Sequence, residues 1–473
     1  MKFPKYFLVF FSLFLFLSTC VNSSFAISIP EEKEVAKKFI AMIKKQNMIL
    51  NDPIANHMIN QIGKHILSFL PPQSFDYSFY IVNDDVFNAF AGPGAHIFAY
   101  RGLITSLDSI DELAGIVGHE IAHAASRHVS ESIDRSKIIS MGSLAGMLAG
   151  IIIGSNSDNG EAGAAVIHGS LAMGHTAMLA FTRENETEAD EKGIMFLKRS
   201  CFSPQGLLLG LEKIRASDFR GVEKIPDYVK THPGTRSRIA HAETILSGYT
   251  PPQNKVVCPS TFEFNMVKYR LLGLYADIET TFNLISTRLN NNPADAALHY
   301  GMGLIYARKF RKEESLSHLK KALAINIFDP MILLELGRVY LLYGEPEKAL
   351  DVLEGIEEEP VLGLMAKFYQ ASAHLELQNL TIAEILLNTV IDKAPSLYPK
   401  AYYNLANIMS IEKRLDLSHY YLGVYYSEIK RRETAIVHLR KALDMLSDEA
   451  KRKKAKTILN RLKKQAANDL REK

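Results

Sequence analysis

The spacing of apolar and polar residues divides the chain into a mixed N-terminal part and a helical C-terminal half. Residues 31–70 place apolar side chains at helical spacing, and two consecutive prolines end that segment. Two strand-like runs follow at 77–82 and 96–100, and a Gly-Pro-Gly turn at 92–94 separates them. The pattern therefore predicts a small β-sheet after the first helical segment.

A capping pattern marks the start of the next helix. Ser109 and Glu112 have the spacing of a capping box, and apolar residues at helical spacing continue to about His128. We predict a helix over this stretch. A second apolar run at 138–153 predicts a helix buried in the same domain; contact with a membrane is the alternative, which the shortness of the run disfavours.

Beyond residue 261 the same residue types return every 34 positions. Gly303 returns as Gly337 and Tyr306 as Tyr340, and Gly423 marks a later unit with the same internal spacing. Helix pairs of this length, with small residues where the helices cross, are typical of tetratricopeptide repeats, which bury their apolar faces by stacking on one another. The pattern predicts an α-solenoid.

These elements predict a mainly α protein built from several parts. The first domain is α+β with a small sheet, and a proline-rich stretch separates it from the α-solenoid. The predicted parts are residues 1–26 as a signal peptide, 27–250 as the α+β domain, 251–261 as a linker, 262–445 as a tetratricopeptide-like repeat domain and 446–473 as a basic C-terminal helix.

The N-terminal sequence predicts export from the cytoplasm. Lys2 and Lys5 precede an apolar stretch that is short for a membrane span, and a small-residue cleavage pattern ends at Ala26. We therefore expect a periplasmic protein. Cys20 resembles the cysteine of a lipoprotein box, but Thr19 departs from that pattern, so lipidation and an uncleaved anchor are the disfavoured alternatives.

Composition and charge narrow the function classes. Of the 473 residues, 47% are hydrophobic and 23% are charged, as in folded globular proteins. The net charge of +3 includes Lys2 and Lys5, so the exported chain is nearly neutral and shows no sign of nucleic-acid binding. The basic run at 451–456 favours a solvated capping helix over peripheral contact with an anionic membrane. Cys201 and Cys258 either form a disulfide or stay two buried thiols, and the sequence leaves both open.

The sequence His119-Glu120-Ile121-Ala122-His123 carries the candidate chemistry. Two histidines four positions apart project from one face of a helix, so they can bind a single metal ion with Glu120 beside it. Burying these polar groups in so apolar a helix would be costly unless a metal or hydrogen bonds satisfied them. The motif predicts one catalytic zinc ion per chain.

A catalytic zinc needs a third protein ligand and an open position for water. Ser126 and Val129 exclude the scheme that places glycine and histidine at those positions. His128, five residues after His123, rotates away from the metal-binding face and is expected to be an exposed or internally satisfied histidine. Glu186 and Asp190, four apart on a predicted helix, are better candidates: one binds zinc and the other orients a ligand histidine.

The HEIAH motif followed by Glu-x-x-Ala-Asp at 186–190 resembles the HtpX, CaaX-prenyl protease and mitochondrial Oma-type metallopeptidase family. The stretch 88–94 and His232-Pro233 with Arg238 resemble further parts of that family's pattern, and the resemblance covers roughly residues 30–245. It implies a zincin-like fold with Glu186 as the third ligand. It also implies that His232 and Arg238 stabilise the oxyanion, or that His232 is a removable fourth ligand.

The resemblance and the repeats together imply a role in protein quality control. An exported peptidase of this family with tetratricopeptide repeats resembles bacterial proteases of outer-membrane protein assembly. Unfolded or misassembled proteins are then the expected substrates, and the outer-membrane assembly machinery is the expected partner of the repeats. Glu120 is the expected general base. The alternative function is a periplasmic chaperone or scaffold in which proteolysis is secondary or suppressed.

One strand is a candidate for substrate binding. We expect the second strand-like run to be an edge strand that holds an extended substrate by β-addition. The residues of this candidate are His96, Ile97, Phe98, Ala99 and Tyr100.

Overall fold

The structure, a computed structural model, divides into two compact units, Met1–Lys268 and Tyr269–Lys473. It describes residues 27–135, 181–218, 228, 232–251, 258 and 263–471. The predicted signal peptide, the apolar run at 138–153 and most of the predicted linker lie outside these residues. The expected mainly α fold with a small sheet is confirmed.

Two helices open the first unit, where the sequence suggested one helical segment. Helix α1 (Ile29–Lys45) starts at a capping box formed by Ser28, and helix α2 (Pro53–Leu67) starts where Asp52 accepts hydrogen bonds from two backbone amides. Between them Asn47 has a positive φ of 55°, which is incompatible with a continuous helix. The break therefore comes from local capping chemistry that the apolar spacing does not reveal.

The sheet has three strands in the order β1-β3-β2. They are β1 (Ser78–Val82), β2 (Ala89–Gly92) and β3 (His96–Tyr100). Strand β3 pairs with β1 in parallel and with β2 in antiparallel fashion, so it is the central strand. The prediction that His96–Tyr100 forms an edge strand is therefore wrong, because both of its edges are already hydrogen-bonded. Strand β2, at only four residues, is too short to stand out in the sequence.

The motif helix lies at the centre of the first unit. After α3 (Arg101–Ser106), helix α4 (Ile110–Ala125) starts at Ser109, whose hydroxyl accepts a hydrogen bond from the Glu112 amide. Helix α4 ends at Ala125, three residues earlier than predicted, because Arg127 has a positive φ of 58°. Helix α5 (His128–Arg135) then begins at once.

Among the described residues, three more helices follow: the first two pack on α4, and the third packs on those two. They are α6 (Arg183–Arg199), α7 (Gln205–Asp218) and α8 (Thr235–Leu246). A disulfide joins Cys201, just after α6, to Cys258, with the two Cα atoms 5.2 Å apart. Of the two alternatives that the sequence left open, the structure has the bridge, which closes the chain between α6 and the segment before the repeats.

Antiparallel helix pairs build the second unit, and the first of these helices begins in the last residues of the first unit. Its helices are α9 (Phe264–Tyr275), α10 (Ile278–Asn291), α11 (Ala296–Arg308), α12 (Lys312–Ile325), α13 (Pro330–Leu342), α14 (Pro346–Leu353), α15 (Gly363–Glu376), α16 (Leu380–Lys393), α17 (Pro399–Ile411), α18 (Leu415–Glu428), α19 (Arg432–Met445) and α20 (Glu449–Arg471). A short 3₁₀ helix, Ile356–Glu358, follows α14.

The 34-residue period corresponds to a repeated helix crossing. A Cβ added at Gly303 would meet Leu319 Cγ at 2.7 Å, and one added at Gly337 would meet Leu353 Cγ at 2.6 Å. The same crossing recurs at Gly423 against Leu439. At these positions a glycine leaves room for the leucine side chain of the partner helix, so the predicted repeat frame is confirmed as a packing frame.

The last helix covers the end of the repeats. Helix α20 buries Ala455, Leu459 and Leu462 and exposes basic side chains between them. Within the described part of the chain, every helix is either too short or too polar to cross a membrane.

Candidate metal centre

The motif side chains converge because one helix face carries them. His119 and His123 lie four residues apart on α4, and their Nε2 atoms are 3.0 Å from one another. Both rings and the carboxylate of Glu120 have no exposed surface. Most of the surrounding residues of α4 are buried apolar side chains, so these polar groups are held in a dry, low-dielectric site.

Helix α6 brings two carboxylates to these rings. Glu186 Oε1 lies 3.3 Å from His123 Nε2, and Glu186 Oε2 lies 3.5 Å from His119 Nε2. Asp190 Oδ1 lies 2.9 Å from the opposite nitrogen, His119 Nδ1. The close approach depends on Gly193, where a Cβ would lie 3.2 Å from the backbone nitrogen of His119. Glu186 therefore faces the two Nε2 atoms, and Asp190 holds His119 from behind.

His232 completes the group from the segment before α8. Its ring lies 5.5 Å from the His119 ring and 5.4 Å from the His123 ring, measured between centroids. It stacks on the ring of Tyr228 at 4.3 Å. Potential ligand atoms of His119, His123, Glu186 and His232 all lie within 4.8 Å of one another. We call these four side chains the donor cluster.

Arg238 of α8 is engaged by carboxylates. Its Nε and Nη2 atoms donate hydrogen bonds to the two oxygens of Asp190 at 2.7 Å each, and Nη1 lies 2.5 Å from Glu186 Oε2. Such a bidentate pair fixes both side chains. The guanidinium thus points at acids that flank the metal ligands, which differs from the oxyanion contact expected from the resemblance.

The charges of the donor cluster suit a cation. Burial would raise the pKa of Glu186, but His232, Arg238 and hydrogen bonds from His119 and His123 lower it well below the usual range. Burial also lowers the pKa of His232 to about 3, so this ring is neutral. At His119, burial and Arg238 oppose protonation, yet the hydrogen bonds to Asp190 and Glu186 raise the pKa of His119 to about 9. The carboxylates therefore stabilise a positive charge at this place.

Two or three imidazoles and one carboxylate form a donor set that zinc prefers in catalytic sites, and a bound metal would displace the proton of His119. Arg238 compensates the charge of Asp190 and contacts one oxygen of Glu186, but the buried carboxylate oxygens of Glu120 have no hydrogen-bond partner among the described residues. Such buried polar atoms carry a desolvation penalty that a nearby cation would offset. The residues present therefore fit a metal ion of this class.

The structure adds neighbours that the sequence did not reveal. Phe181 stacks on the His123 ring at 3.9 Å between centroids, and Tyr228 supports His232. His128 does not join the donor cluster, but its Nδ1 atom lies 2.9 Å from His123 Nδ1. It is buried and hydrogen-bonded, as a satisfied histidine should be. The sequence does not reveal this contact, because it depends on the turn at Arg127, which returns the chain toward His123.

The edge strand β2 lies beside the general-base candidate. The backbone N–H of Ala91 on β2 faces the carboxylate of Glu120. On its other side Glu120 Oε1 lies 3.5 Å from His232 Nε2. Glu120 is thus placed between the sheet edge and the donor cluster, whereas β3 is one strand further away in the sheet order.

A buried HExxH helix with a third acidic donor from a second helix defines a metallopeptidase centre. Residues 53–246 match the model of peptidase family M48, which confirms the expected family resemblance for the first unit. The protein is accordingly a metalloendopeptidase whose peptidase domain is similar to that family.

The chain is similar to two kinds of named protease. It is 27% identical over 364 residues to the β-barrel assembly-enhancing protease of Escherichia coli (strain K12), covering 69% of this chain and 73% of that one. It is also 27% identical over 188 residues to the mitochondrial metalloendopeptidase OMA1 of Schizosaccharomyces pombe, covering 40% and 52%.

Among solved structures, part of the chain is similar to PilW, described as a widely conserved type IV pilus biogenesis factor. The TM-score is 0.34 at 16% identity, over 42% of this chain and 93% of PilW. A similarity with so low a TM-score supports no further conclusion about this chain.

Proposed function

We propose that this protein is a zinc endopeptidase of the bacterial periplasm that cleaves misfolded or misassembled proteins during outer-membrane protein quality control. The observation that carries the proposal is the convergence of the buried donor cluster beside Glu120. The similarity to a protease named for β-barrel assembly supports the cellular role. The predicted signal peptide and the disulfide between Cys201 and Cys258 support an oxidising compartment.

The metal ligands of this proposal are His119, His123 and Glu186. When bound, zinc supplies a water of lowered pKa, about 7, and polarises the scissile carbonyl. Asp190 accepts a hydrogen bond from His119 Nδ1, which leaves Nε2 free to bind the metal. Arg238 holds Asp190 and Glu186 in place, so we assign it a positioning role as well as a charge near the oxyanion.

Glu120 is the general base. Burial, opposed by the neighbouring His119 charge, raises the pKa of Glu120 to about 7, which suits a group that must both accept and return a proton near neutral pH. It takes the proton of the attacking water and delivers it to the leaving amine. His232, 3.5 Å from Glu120 Oε1, is placed to donate to the oxyanion, and a removable fourth ligand is the alternative role.

We assign the substrate strand to β2 in place of His96–Tyr100. Among the described residues β2 pairs only with β3, so its other edge is available to an extended peptide. The N–H of Ala91 near Glu120 brings that edge to the reacting group. Backbone pairing favours chains that are locally unfolded, because a folded substrate has no extended segment to offer.

The repeat unit supplies the partner surface in this proposal. It exposes large apolar side chains on its turns, with Phe310 75%, Ile327 71% and Phe328 81% exposed. Apolar side chains concentrated on connecting turns favour contact with another protein. The same observation supports the second candidate function, a periplasmic scaffold or chaperone for the outer-membrane assembly machinery.

Replacing Glu120 with glutamine tests the catalytic part. The Glu120→Gln protein should keep about one zinc per chain and its thermal stability, while cleavage of casein falls roughly 10²–10⁴-fold, because the proton acceptor is lost. A chelator should abolish the activity of the parent. Equal cleavage by the variant would remove Glu120 from the mechanism. Full support of outer-membrane protein assembly by the inactive variant would favour the scaffold function.

A further inference from the structure

A chain of hydrogen bonds leads from one metal-ligand candidate to the protein surface. His123 Nδ1 lies 2.9 Å from His128 Nδ1, and His128 Nε2 lies 3.3 Å from Glu188 Oε2. The two histidines are buried, whereas the side chain of Glu188 is 46% exposed. Ser126 and Lys192 both donate hydrogen bonds to the other Glu188 oxygen, at 3.1 and 2.6 Å, and hold the carboxylate in place.

Only one assignment of protons satisfies this chain when His123 binds a metal through Nε2. His123 then carries its proton on Nδ1 and donates it to His128 Nδ1. His128 in turn carries its proton on Nε2 and donates it to the Glu188 carboxylate. Every donor meets an acceptor, and the carboxylate end fixes the tautomer of both rings.

The backbone is shaped to bring His128 to this place. On an uninterrupted helix, a residue five positions after His123 would point away from its ring. The left-handed conformation of Arg127 ends α4 and turns the chain back. The Arg127 guanidinium is anchored by the Ile27 carbonyl at 2.5 Å and by Glu32 at 3.2 Å. A non-glycine residue in this conformation costs free energy, so the turn is held by its surroundings.

We propose that His128 and Glu188 are positioning residues that orient His123 and increase the basicity of its metal-binding nitrogen. This rests on the proposed function, since it concerns the ligands of the same metal. Histidine ligands commonly donate their second N–H to a carboxylate or carbonyl, and loss of such a partner costs roughly 10–100-fold in metal affinity or activity. Here a neutral imidazole stands between the ligand and the carboxylate.

The two ligand histidines are therefore supported differently. His119 meets a carboxylate directly, and that carboxylate, Asp190, is buried and paired with Arg238. His123 reaches a carboxylate only through His128, and that carboxylate lies at the surface. The His123 side of the metal site is consequently the one that substitutions at the surface can alter.

The experiment measures metal affinity in the full chain. We expect His128→Phe to weaken zinc binding roughly 10–100-fold in a chelator competition, because phenylalanine fills the space but accepts no hydrogen bond. His128→Asn should recover most of the affinity, since its Oδ1 takes the place of Nδ1. Glu188→Gln should weaken binding less, in the same direction. The matched control is His241→Phe, which removes a surface histidine paired with Glu191 at 2.9 Å.

Further measurements distinguish a change in the orientation of His123 from a loss of folding. The cobalt-substituted protein should show a changed visible spectrum in His128→Phe and an unchanged one in His241→Phe. With zinc saturating, the loss in kcat/KM should come from kcat, because neither residue lies on strand β2. If His128→Phe does not fold, the zinc affinity of Glu188→Gln tests the proposal instead. The Glu188 side chain is half-exposed, so this substitution should leave the fold intact.

Three outcomes would contradict the positioning role or the proposed function, and they can be told apart. A folded His128→Phe protein with the zinc affinity of the parent would disprove the positioning role and leave the proposed function intact. A parent protein that binds no zinc would instead disprove the proposed function. Equal losses in His128→Phe and His128→Asn would also count against the role, because asparagine keeps the acceptor.

Discussion

The donor cluster of the first unit and a group of charges in the repeat unit both bury ion pairs, but the balance of charge differs. Around the donor cluster, Glu186 and Asp190 pair with the guanidinium of Arg238, and the carboxylate of Glu120 is buried in the same site. In the repeat unit, Glu335 is fully buried and accepts hydrogen bonds from Arg270, at 2.5 Å, and from Arg338. We call these three side chains the repeat charge cluster.

This difference separates a metal site from a structural ion pair. The repeat charge cluster has more guanidinium groups than carboxylates, and arginine offers no lone pair to a metal. Arg270 also donates to the Tyr300 hydroxyl at 3.1 Å, which uses a further donor. Around the donor cluster, three buried carboxylates outnumber the one buried guanidinium, and imidazole nitrogens offer lone pairs. Burial of charge alone therefore indicates little, whereas the sign of the imbalance together with the available lone pairs indicates chemistry.

The largest expected effect is loss of the metal on substitution of Glu186. Zinc bound by four protein ligands is held by about 10–16 kcal/mol, so one ligand contributes about 3–4 kcal/mol. Glu186→Gln should weaken zinc binding roughly 10²–10³-fold and abolish proteolysis at low zinc, as measured by chelator competition and casein cleavage. The matched control is Glu184→Gln, an exposed acid on the same helix. Full zinc occupancy in Glu186→Gln would show that this ligand assignment is wrong.

The next effect concerns the repeat charge cluster and should leave the metal untouched. Removing one partner of a buried ion pair leaves an uncompensated charge and costs about 3–5 kcal/mol. We expect Glu335→Gln to lie near the lower limit, because glutamine keeps the volume and one acceptor oxygen. Chemical denaturation should show the loss in stability, and zinc affinity should not change.

Glu314 provides the control for this second comparison. It pairs with Arg311 on the surface of the same unit, and exposed pairs of this kind contribute little. Glu314→Gln should therefore leave the denaturation curve nearly unchanged. If Glu335→Gln had no larger effect than Glu314→Gln, the repeat charge cluster would not be a stabilising element.

The sequence predicts those features that depend on local spacing. The four-residue interval between His119 and His123 placed both rings on one face, and a 34-residue interval predicted the helix crossings at Gly303 and Gly337. Spacing works here because a helix has a fixed period. The resemblance, and not spacing, singled out Glu186 among the acids and drew attention to His232, which the structure brings within reach of the rings.

The features that sequence analysis missed depend on contacts between distant segments or on unusual backbone conformations. Strand β3 had the composition of any strand, and only its pairing with both β1 and β2 makes it central. His128 is a buried, hydrogen-bonded histidine as expected, but its contact with His123 was missed because helical periodicity assumes that α4 continues, whereas Arg127 ends it. The bridge between Cys201 and Cys258 spans 57 positions, and no local pattern specifies such a contact.

The prediction with the smallest expected effect concerns turns that contain a residue of positive φ. It compares such a turn in the repeat unit with the one at Arg127 in the first unit. Phe310 has a positive φ of 56° in the turn between α11 and α12, where the equivalent turn of the next repeat has Gly344 with a φ of 69°. Because the Phe310 side chain is 75% exposed, Phe310→Gly removes little packing while it relieves the backbone.

We expect this substitution to raise the free energy of unfolding by up to about 1 kcal/mol. Gly344→Ala is the reciprocal variant. Chemical denaturation should show that it lowers the free energy of unfolding. Arg127→Gly, in contrast, keeps the turn but loses the anchors to Ile27 and Glu32, so zinc affinity should fall there and stay constant in Phe310→Gly. A stabilised Phe310→Gly protein that binds its partners less well would show that the exposed ring is kept for recognition despite its conformational cost.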